Sequence, residues 1–494
     1  MKNQFETPLF DALKTYVENE TIAFHVPGHK KGQGMHSHFR DFVGDNVLSM
    51  DVTVFKSVDS LHNPRSVIKR AQELAAEAYG SDSCFFSVHG TSGAIQVMIM
   101  SVVGFGDKIL VPRNVHKSVT AGIILSGCHP IYMQPEVDDV VGVALNVTPE
   151  MVKTSLEEHP DAKAVLIINP TYYGVTTDIE KIAAIAHGYS IPLIVDEAHG
   201  PHLKFSDKLP ISAMEAGADM CAQSTHKLVG ALTQGSLLHV RGTLIDVNRV
   251  KSLMNMMHTT SPSYILMASL DVARMQMVKE GKWLLEQTVK LAHHLRYMIN
   301  TIPGLYCFGE EVLSLKGAYG FDPTKITINS RGIGLSGYDL EKMLAENYKI
   351  QVELSDMYNV LAVVTIGDTE DSVSKLYNAL KSISDEMKQV YYLERPIELP
   401  KIPLRTMSPR EAYYSCSKRM PLDESVGEIC AEMIMAYPPG IPIITQGEII
   451  SDEIIRYIKV LKMAGLDIQG TEDPDVNHIK VVEQAKVLKF VPTA

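Results

Sequence analysis

A lysine follows a histidine in QSTHKLVGALTQGS (residues 223–236), among hydroxyls and glycines. The flanking DMCAQ and SLLHV are apolar enough to be buried strands, which places Lys227 on a turn between them. There the ammonium loses part of its hydration, its pKa falls, and the amine becomes a nucleophile. An exposed turn lysine reads the same from these residues alone. Three other strand ends carry unusual groups. SVHGTSGAIQ puts Gly90, Thr91, Ser92 and Gly93 at a helix start, where free backbone N–H groups hold a phosphate or where Ser and Thr are ordinary caps. VPRNVHKS puts His116 after a strand, as an aromatic lid or as a packed loop residue. PLIVDEAHG buries Asp196 behind a run of apolar residues, where a carboxylate needs a cation or hydrogen-bond donors.

The elements that must position these groups alternate. Residues 65–79 have helical spacing and stop at Gly80. Seven short apolar runs follow between about 84 and 240: CFFSV, KILVP, HPIYM, AVLIIN, PLIVD, DMCAQ and SLLHV. Helix-like segments such as 91–103 and 178–187 separate most of them, so the expected architecture is α/β, a seven-stranded, mainly parallel sheet covered on both faces. Ligands of such sheets bind beyond the carboxyl ends of the strands, where the four groups fall. The expected division is an N-terminal arm over 1–45, a large domain over 46–265, and a long helix (264–302) opening a smaller α+β domain over 266–390. A linker marked by Pro396, Pro400 and Pro403 then leads into a C-terminal unit over 391–494.

Composition bounds the function. With 494 residues, 45% hydrophobic and 21% charged, the chain has room for several folded units. A formal net charge of −12 argues against nucleic acid as partner and permits a cationic substrate. Six scattered cysteines without a CxxC pair suggest neither a metal site nor disulfides, and fit a reducing cytoplasm. The first twenty residues lack the basic and apolar regions of a signal peptide, and no apolar run is long enough for a membrane span.

A phosphate cradle, an aromatic ring, a buried carboxylate and a lysine amine are together what pyridoxal 5'-phosphate requires: phosphate anchor, ring stack, partner for the pyridine nitrogen, and aldehyde trap. Their order resembles that of the fold-type I, aspartate aminotransferase-like enzymes. More narrowly, HVPGHKKG (25–32), GTSGA (90–94), RNVHKS (113–118), INPTYYG (168–174), VDEAHG (195–200), STHKL (224–228), TTSPSY (259–264) and YPPGIP (437–442) resemble signatures of the bacterial ornithine/lysine/arginine decarboxylase family. Within it, the chain is most similar to the short biosynthetic arginine decarboxylases of Bacillus-type bacteria. The PGHK motif begins within thirty residues of Met1, so the N-terminal wing domain of the large inducible members is expected to be absent, and wing-mediated decamers with it.

The resemblance implies residue roles. Lys227 would hold the cofactor covalently, Asp196 would keep the pyridine nitrogen protonated, and His116 would stack on the ring. Thr91, Ser92, Gly93, Ala94, Ser224 and His226 would surround the phosphate. His199 would touch the phenolic edge, and Thr260 would reach the phosphate of a neighbouring subunit in a homodimer or higher homo-oligomer. The implied reaction is decarboxylation of a basic amino acid, foremost L-arginine to agmatine for polyamine synthesis, with lysine and ornithine as alternatives. His226 and Lys227 both stand as donors of the proton that replaces CO2. Asp356 and Glu424 are candidates for the distal cation, or simply surface acids. An aminotransferase, for which Arg331 would be the carboxylate-binding arginine, and a non-catalytic regulatory homologue are the rival readings.

Overall fold

The seven apolar runs form one sheet: β1 (Ser83–Ser87), β2 (Lys108–Pro112), β3 (His129–Met133), β4 (Ala164–Ile168), β5 (Leu193–Asp196), β6 (Met220–Gln223) and β7 (Ser236–Val240). They lie in the order β1-β7-β6-β5-β4-β2-β3. This computed structural model describes residues 3–138, 142–387, 400–437, 441–463 and 467–483. β7 runs antiparallel to both β1 and β6, and all other neighbours are parallel. A strand reversed against both neighbours leaves those two pointing the same way. The carboxyl ends of β1 to β6 therefore share one edge, and the polar residues after them meet there.

Strand side chains alternate between two helical layers. Leu166, Ile168 and Ile194 pack with Ile95, Met98 and Ile99 of the helix Gly90–Val102 and with Val119 and Ile123 of the helix Lys117–Ser126. Val165, Ile167, Leu193 and Val195 pack on the other face with Val152, Leu156, Ile179 and Ile182. Both faces are covered, which is why these runs read as continuously apolar.

The first expected helix spans Val67–Tyr79, starting two residues late, because the Asp59 carboxylate collects the amides of Arg65, Ser66 and Ile68 and caps it from outside. It ends at Gly80, whose φ of 75° only glycine adopts without strain. The long helix runs Tyr264–Ile299, with the Ser263 side chain accepting the Leu266 amide at its start. Its first turns pack with Leu9 and Leu13, and its last turns with Ile326, Ile328 and Leu380. Ile326 and Ile328 belong to a four-stranded antiparallel sheet formed by Tyr306–Cys307, Lys325–Asn329, Asn359–Val363 and Leu354–Ser355, in that order, and Leu380 to the helix Glu370–Glu386.

The C-terminal unit has a core of its own, in which Ile454, Ile455 and Ile458 of the helix Asp452–Met463 meet Ile434, Ile444 and Ile479. Pro400 and Pro403 precede it without regular structure, while Pro396 lies outside the described residues. Among the described residues, no helix is long and apolar enough to cross a membrane.

Candidate active site

The carboxyl edge of the sheet opens onto a cavity of about 300 Å³. Thr91, Ser92, His116, Asp196, His199, Ser224, His226 and Lys227 all line it, although they come from four separate strand ends. At one side the helix Gly90–Val102 begins at Gly90, with φ of 66°, and no side chain caps it. Its first amides thus face the cavity side without an intrahelical partner, as an anion would need. Thr91 Oγ1 lies 2.6 Å from Ser224 Oγ and 2.7 Å from Ser236 Oγ, tying the starts of this helix and of the Lys227 turn together.

Asp196 ends β5, in register with Ile168 on β4 and Ala222 on β6. It is 5% exposed, and the one hydrogen bond its carboxylate receives among the described residues is from the Ala198 amide to Oδ1, at 3.1 Å. Burial raises its pKa to about 6, against the smaller pull of the Ala198 amide and Lys227. Such a carboxylate is short of donors, and a ligand with a basic ring nitrogen would supply one. The adjacent Glu197 points to the opposite face, as strand alternation requires. There the Ala213 amide and Gln223 Nε2 hold it, at 2.6 and 2.8 Å.

Lys227, expected on a turn between two strands, lies between them in the one-turn helix Thr225–Leu228, which starts where β6 ends. Its Nζ lies 2.8 Å from His199 Nε2 and 5.5 Å from the centre of the Tyr172 ring. Burial lowers its pKa, partly offset by Asp196 and Glu353. His199 is held well below its usual pKa by burial and by Lys227, so it is neutral, and its buried Nδ1 has no hydrogen-bond partner among the described residues. His116 is also neutral, lowered to about 4 by burial, Lys227 and Lys117; its Nδ1 accepts the Ser118 amide at 3.2 Å and caps the helix Lys117–Ser126. His226 Nδ1 lies 3.0 Å from the Gly235 carbonyl, to which only an N–H can bond, and burial lowers the ring's pKa, which favours the neutral form with its lone pair on Nε2.

Behind His199, His202 Nε2 and Lys325 Nζ lie 3.1 and 3.3 Å from Asp322 Oδ2, in a cluster whose side chains are almost wholly buried. The approach is at ion-pair distance, with angles outside hydrogen-bond geometry. Asp322 Oδ1 accepts both the amide and the hydroxyl of Thr324. Burial works to raise the Asp322 pKa, but Lys325 and His202 outweigh it and hold the carboxyl well below its usual range.

Other expected residues lie apart. Ala94 is fully buried in the core, and the Gly93 amide bonds the His89 carbonyl at 3.2 Å. Neither lines the cavity, and Thr260 is exposed away from it. Asp356 is neither a surface acid nor open to a ligand: it accepts Tyr173 Oη at 2.8 Å, two backbone amides and the Asn359 side chain. Glu424 is exposed on a short turn of the C-terminal unit. Arg331 lies over the Tyr358 ring, 5.2 Å from its centre. Residues 438–440 of YPPGIP lie outside the described residues.

Two cavity residues escaped the sequence reading. Tyr172 follows β4, and looking past the end of that strand as was done for the others would have found it. Glu353 lines this cavity and an adjoining one of about 450 Å³, which also reaches Lys227. As an exposed acid in QVELSD, it carries no signal that separates it from a surface residue.

This sheet, with a lysine after β6 and a carboxylate after β5, defines an α/β enzyme of the fold-type I class. The family model "Orn/Lys/Arg decarboxylase, major domain" matches residues 7–372, and that of the family's C-terminal domain matches 397–484. The chain belongs to the Orn/Lys/Arg decarboxylase family. It is 49% identical over 489 residues to an arginine decarboxylase of Bacillus subtilis (strain 168), covering 99% of this chain and 100% of that one. It is 50% identical over 486 residues to an arginine decarboxylase of Bacillus anthracis, covering 98% and 99%. The crystal structure of a Francisella novicida lysine decarboxylase superposes with a TM-score of 0.82 at 24% identity, covering 96% of this chain and 81% of that one, a likeness of fold.

Proposed function

We propose that the protein decarboxylates L-arginine to agmatine and CO2 with pyridoxal 5'-phosphate as cofactor. The observation that carries the reading is identity near one half, over essentially the whole chain, to relatives named arginine decarboxylases. The site supports it. An uncapped helix start, a donor-poor buried carboxylate and a desolvated lysine on one cavity suit the phosphate, ring nitrogen and aldehyde of that cofactor. Thr91, Ser92 and Ser224 would hold its phosphate, His116 would cover its ring, and Lys227 would bind its aldehyde carbon.

When bound, the cofactor supplies an electron sink for the bond that loses CO2. The chain's own groups do the rest. Asp196 would keep a proton on the ring nitrogen by paired charge, its burial making that pair strong. His199, neutral, accepts a hydrogen bond from Lys227 Nζ and aims the amine. His226 presents a lone pair and carries its only ring proton toward the Gly235 carbonyl, which leaves Lys227 to deliver the proton that replaces CO2. Glu353, at the junction of the two cavities, is the carboxylate best placed for a planar guanidinium. Among the described residues no arginine lines either cavity, which gives the aminotransferase reading no support.

The working unit is proposed to be at least a dimer. Ile22, Phe24 and Phe42 are 81%, 94% and 92% exposed, large apolar side chains near the N-terminus that a second subunit would cover, and the exposed Thr260 could serve a neighbour's phosphate. Sedimentation of an active monomer would overturn that. The main test is chemical. The purified protein should absorb as a pyridoxal enzyme, borohydride should fix the cofactor to Lys227, and arginine should give agmatine with a higher kcat/KM than lysine or ornithine. Lys227→Ala should abolish both adduct and turnover. Labelling of another lysine, or preference for lysine, would refute the site or the substrate respectively.

A further inference from the structure

The segment carrying His116 is gripped from the C-terminal unit at both ends. Arg113, three residues before His116, makes a two-pronged pair with Glu448: Nη1 to Oε1 at 2.6 Å and Nη2 to Oε2 at 2.8 Å. Nη2 also donates to the Ile443 carbonyl at 3.0 Å. The Glu448 side chain is 0% exposed and that of Arg113 10%, and the Thr445 amide gives Glu448 Oε2 a further bond of 2.8 Å. Beneath them the Tyr132 ring is flanked by Arg113 and Arg405, 4.8 and 5.6 Å from its centre. At the other end of the helix Lys117–Ser126, Arg410 Nη1 donates to the carbonyls of Ile124 and Leu125, both at 2.9 Å, where terminal carbonyls need a donor.

The His116 helix thus hangs between two arginine contacts that cross from one unit to the other. A two-pronged buried pair admits one relative geometry, unlike an apolar contact, which tolerates sliding. We infer that the C-terminal unit is a positioning device for the active site, with Glu448, acting through Arg113, as the residue that fixes the His116 ring over the cavity. This rests on the reading of His116 as the residue that covers the cofactor. It gives the C-terminal unit a role in the chemistry although, among the described residues, none of its side chains lines either cavity.

The test uses the full-length protein and two variants. Glu448→Gln keeps the shape but removes the charge, while Arg113→Met with Glu448→Leu replaces the pair with apolar groups, a change that folds tolerate. Hydrogen exchange is followed without added cofactor, and pyridoxal phosphate is then titrated while its induced dichroism is recorded, all well below the unfolding temperature. In both variants amide exchange over 113–118 should rise roughly tenfold while β5 and β6 stay protected, cofactor Kd should rise roughly tenfold, and the dichroism should weaken. Wild-type exchange over 113–118, or faster exchange confined to 441–463 with unchanged affinity and dichroism, would overturn the inference. Failure of the wild-type protein to bind pyridoxal phosphate would instead overturn the cofactor reading, leaving the exchange data to judge the grip.

Discussion

Asp196 and Asp322 are both buried carboxylates next to the same short stretch of chain, DEAHGPH, and they have opposite fates. Asp196 receives one backbone amide, and burial pushes its pKa up to about 6. Asp322 receives Thr324 twice and stands against Lys325 and His202, which overcome burial and hold its pKa down. Burial is equal; donors are not. A fold that can saturate one acid and starves another, on the two sides of the same loop, has left the second for something it does not itself contain. The starved one faces the cavity, while the saturated one joins the small domain to the loop behind it.

Breaking the saturated side should have the largest effect. Asp322→Asn leaves Lys325 buried without an anion, a loss expected to cost about 3–5 kcal/mol in urea unfolding. A loss below about 1 kcal/mol would mean that Lys325 is neutral and the cluster is not an ion pair at all.

The starved side should respond in the opposite direction. Below pH 4 Asp196 is protonated in both folded and unfolded chains and has no effect. Between pH 4 and 6 the unfolded chain ionises first, so the native state loses stability as pH rises, and above 6 the penalty is constant. Without cofactor, Asp196→Asn should therefore gain on wild type by up to about 3 kcal/mol between pH 4 and pH 8. Added pyridoxal phosphate should narrow that gain, because it stabilises wild type more than the variant. A pH-independent difference would show the carboxylate to be satisfied already.

The smallest effect sharpens the contrast at the cavity's far side. Glu353→Gln should raise KM for arginine roughly tenfold with kcat within about twofold, since the contact to a distal cation is the same before and during reaction. Unchanged KM would return the distal cation to a partner subunit or to another acid.

Much of this was legible beforehand for a local reason. All seven sheet strands are apolar runs, and Thr91, Ser92, His116, Asp196 and Lys227 stand at strand ends or within a turn of them, so pattern and the strand-end rule located them together, whereas His199, Ser224 and His226 came with the family resemblance. What was missed is non-local. Glu353 reaches the cavity only through the packing of the small domain, and Asp356, nominated in its stead, is taken by Tyr173 and Asn359. Arg113 and Glu448 are separated by hundreds of residues, and Asp322, Lys325 and His202 come from different units; no periodicity encodes such meetings. Even locally, a four-residue helix at Lys227 was too short to announce itself beside glycines.

The long helix Tyr264–Ile299 has a practical consequence for anyone who would cut this chain. Its early residues Leu266, Met267 and Leu270 belong to a core with Leu9 and Leu13, and its late residues Ala292, Leu295 and Ile299 to the core of the small sheet. At 36 residues it is a rod of about 54 Å whose two ends are owned by different bodies. The boundary drawn at 265 and 266 therefore does not divide two exportable modules. A gene truncated there would yield one fragment with an open groove and another with an unsupported stem, and a chimaera with a relative should take the helix and the cores at both its ends from one parent.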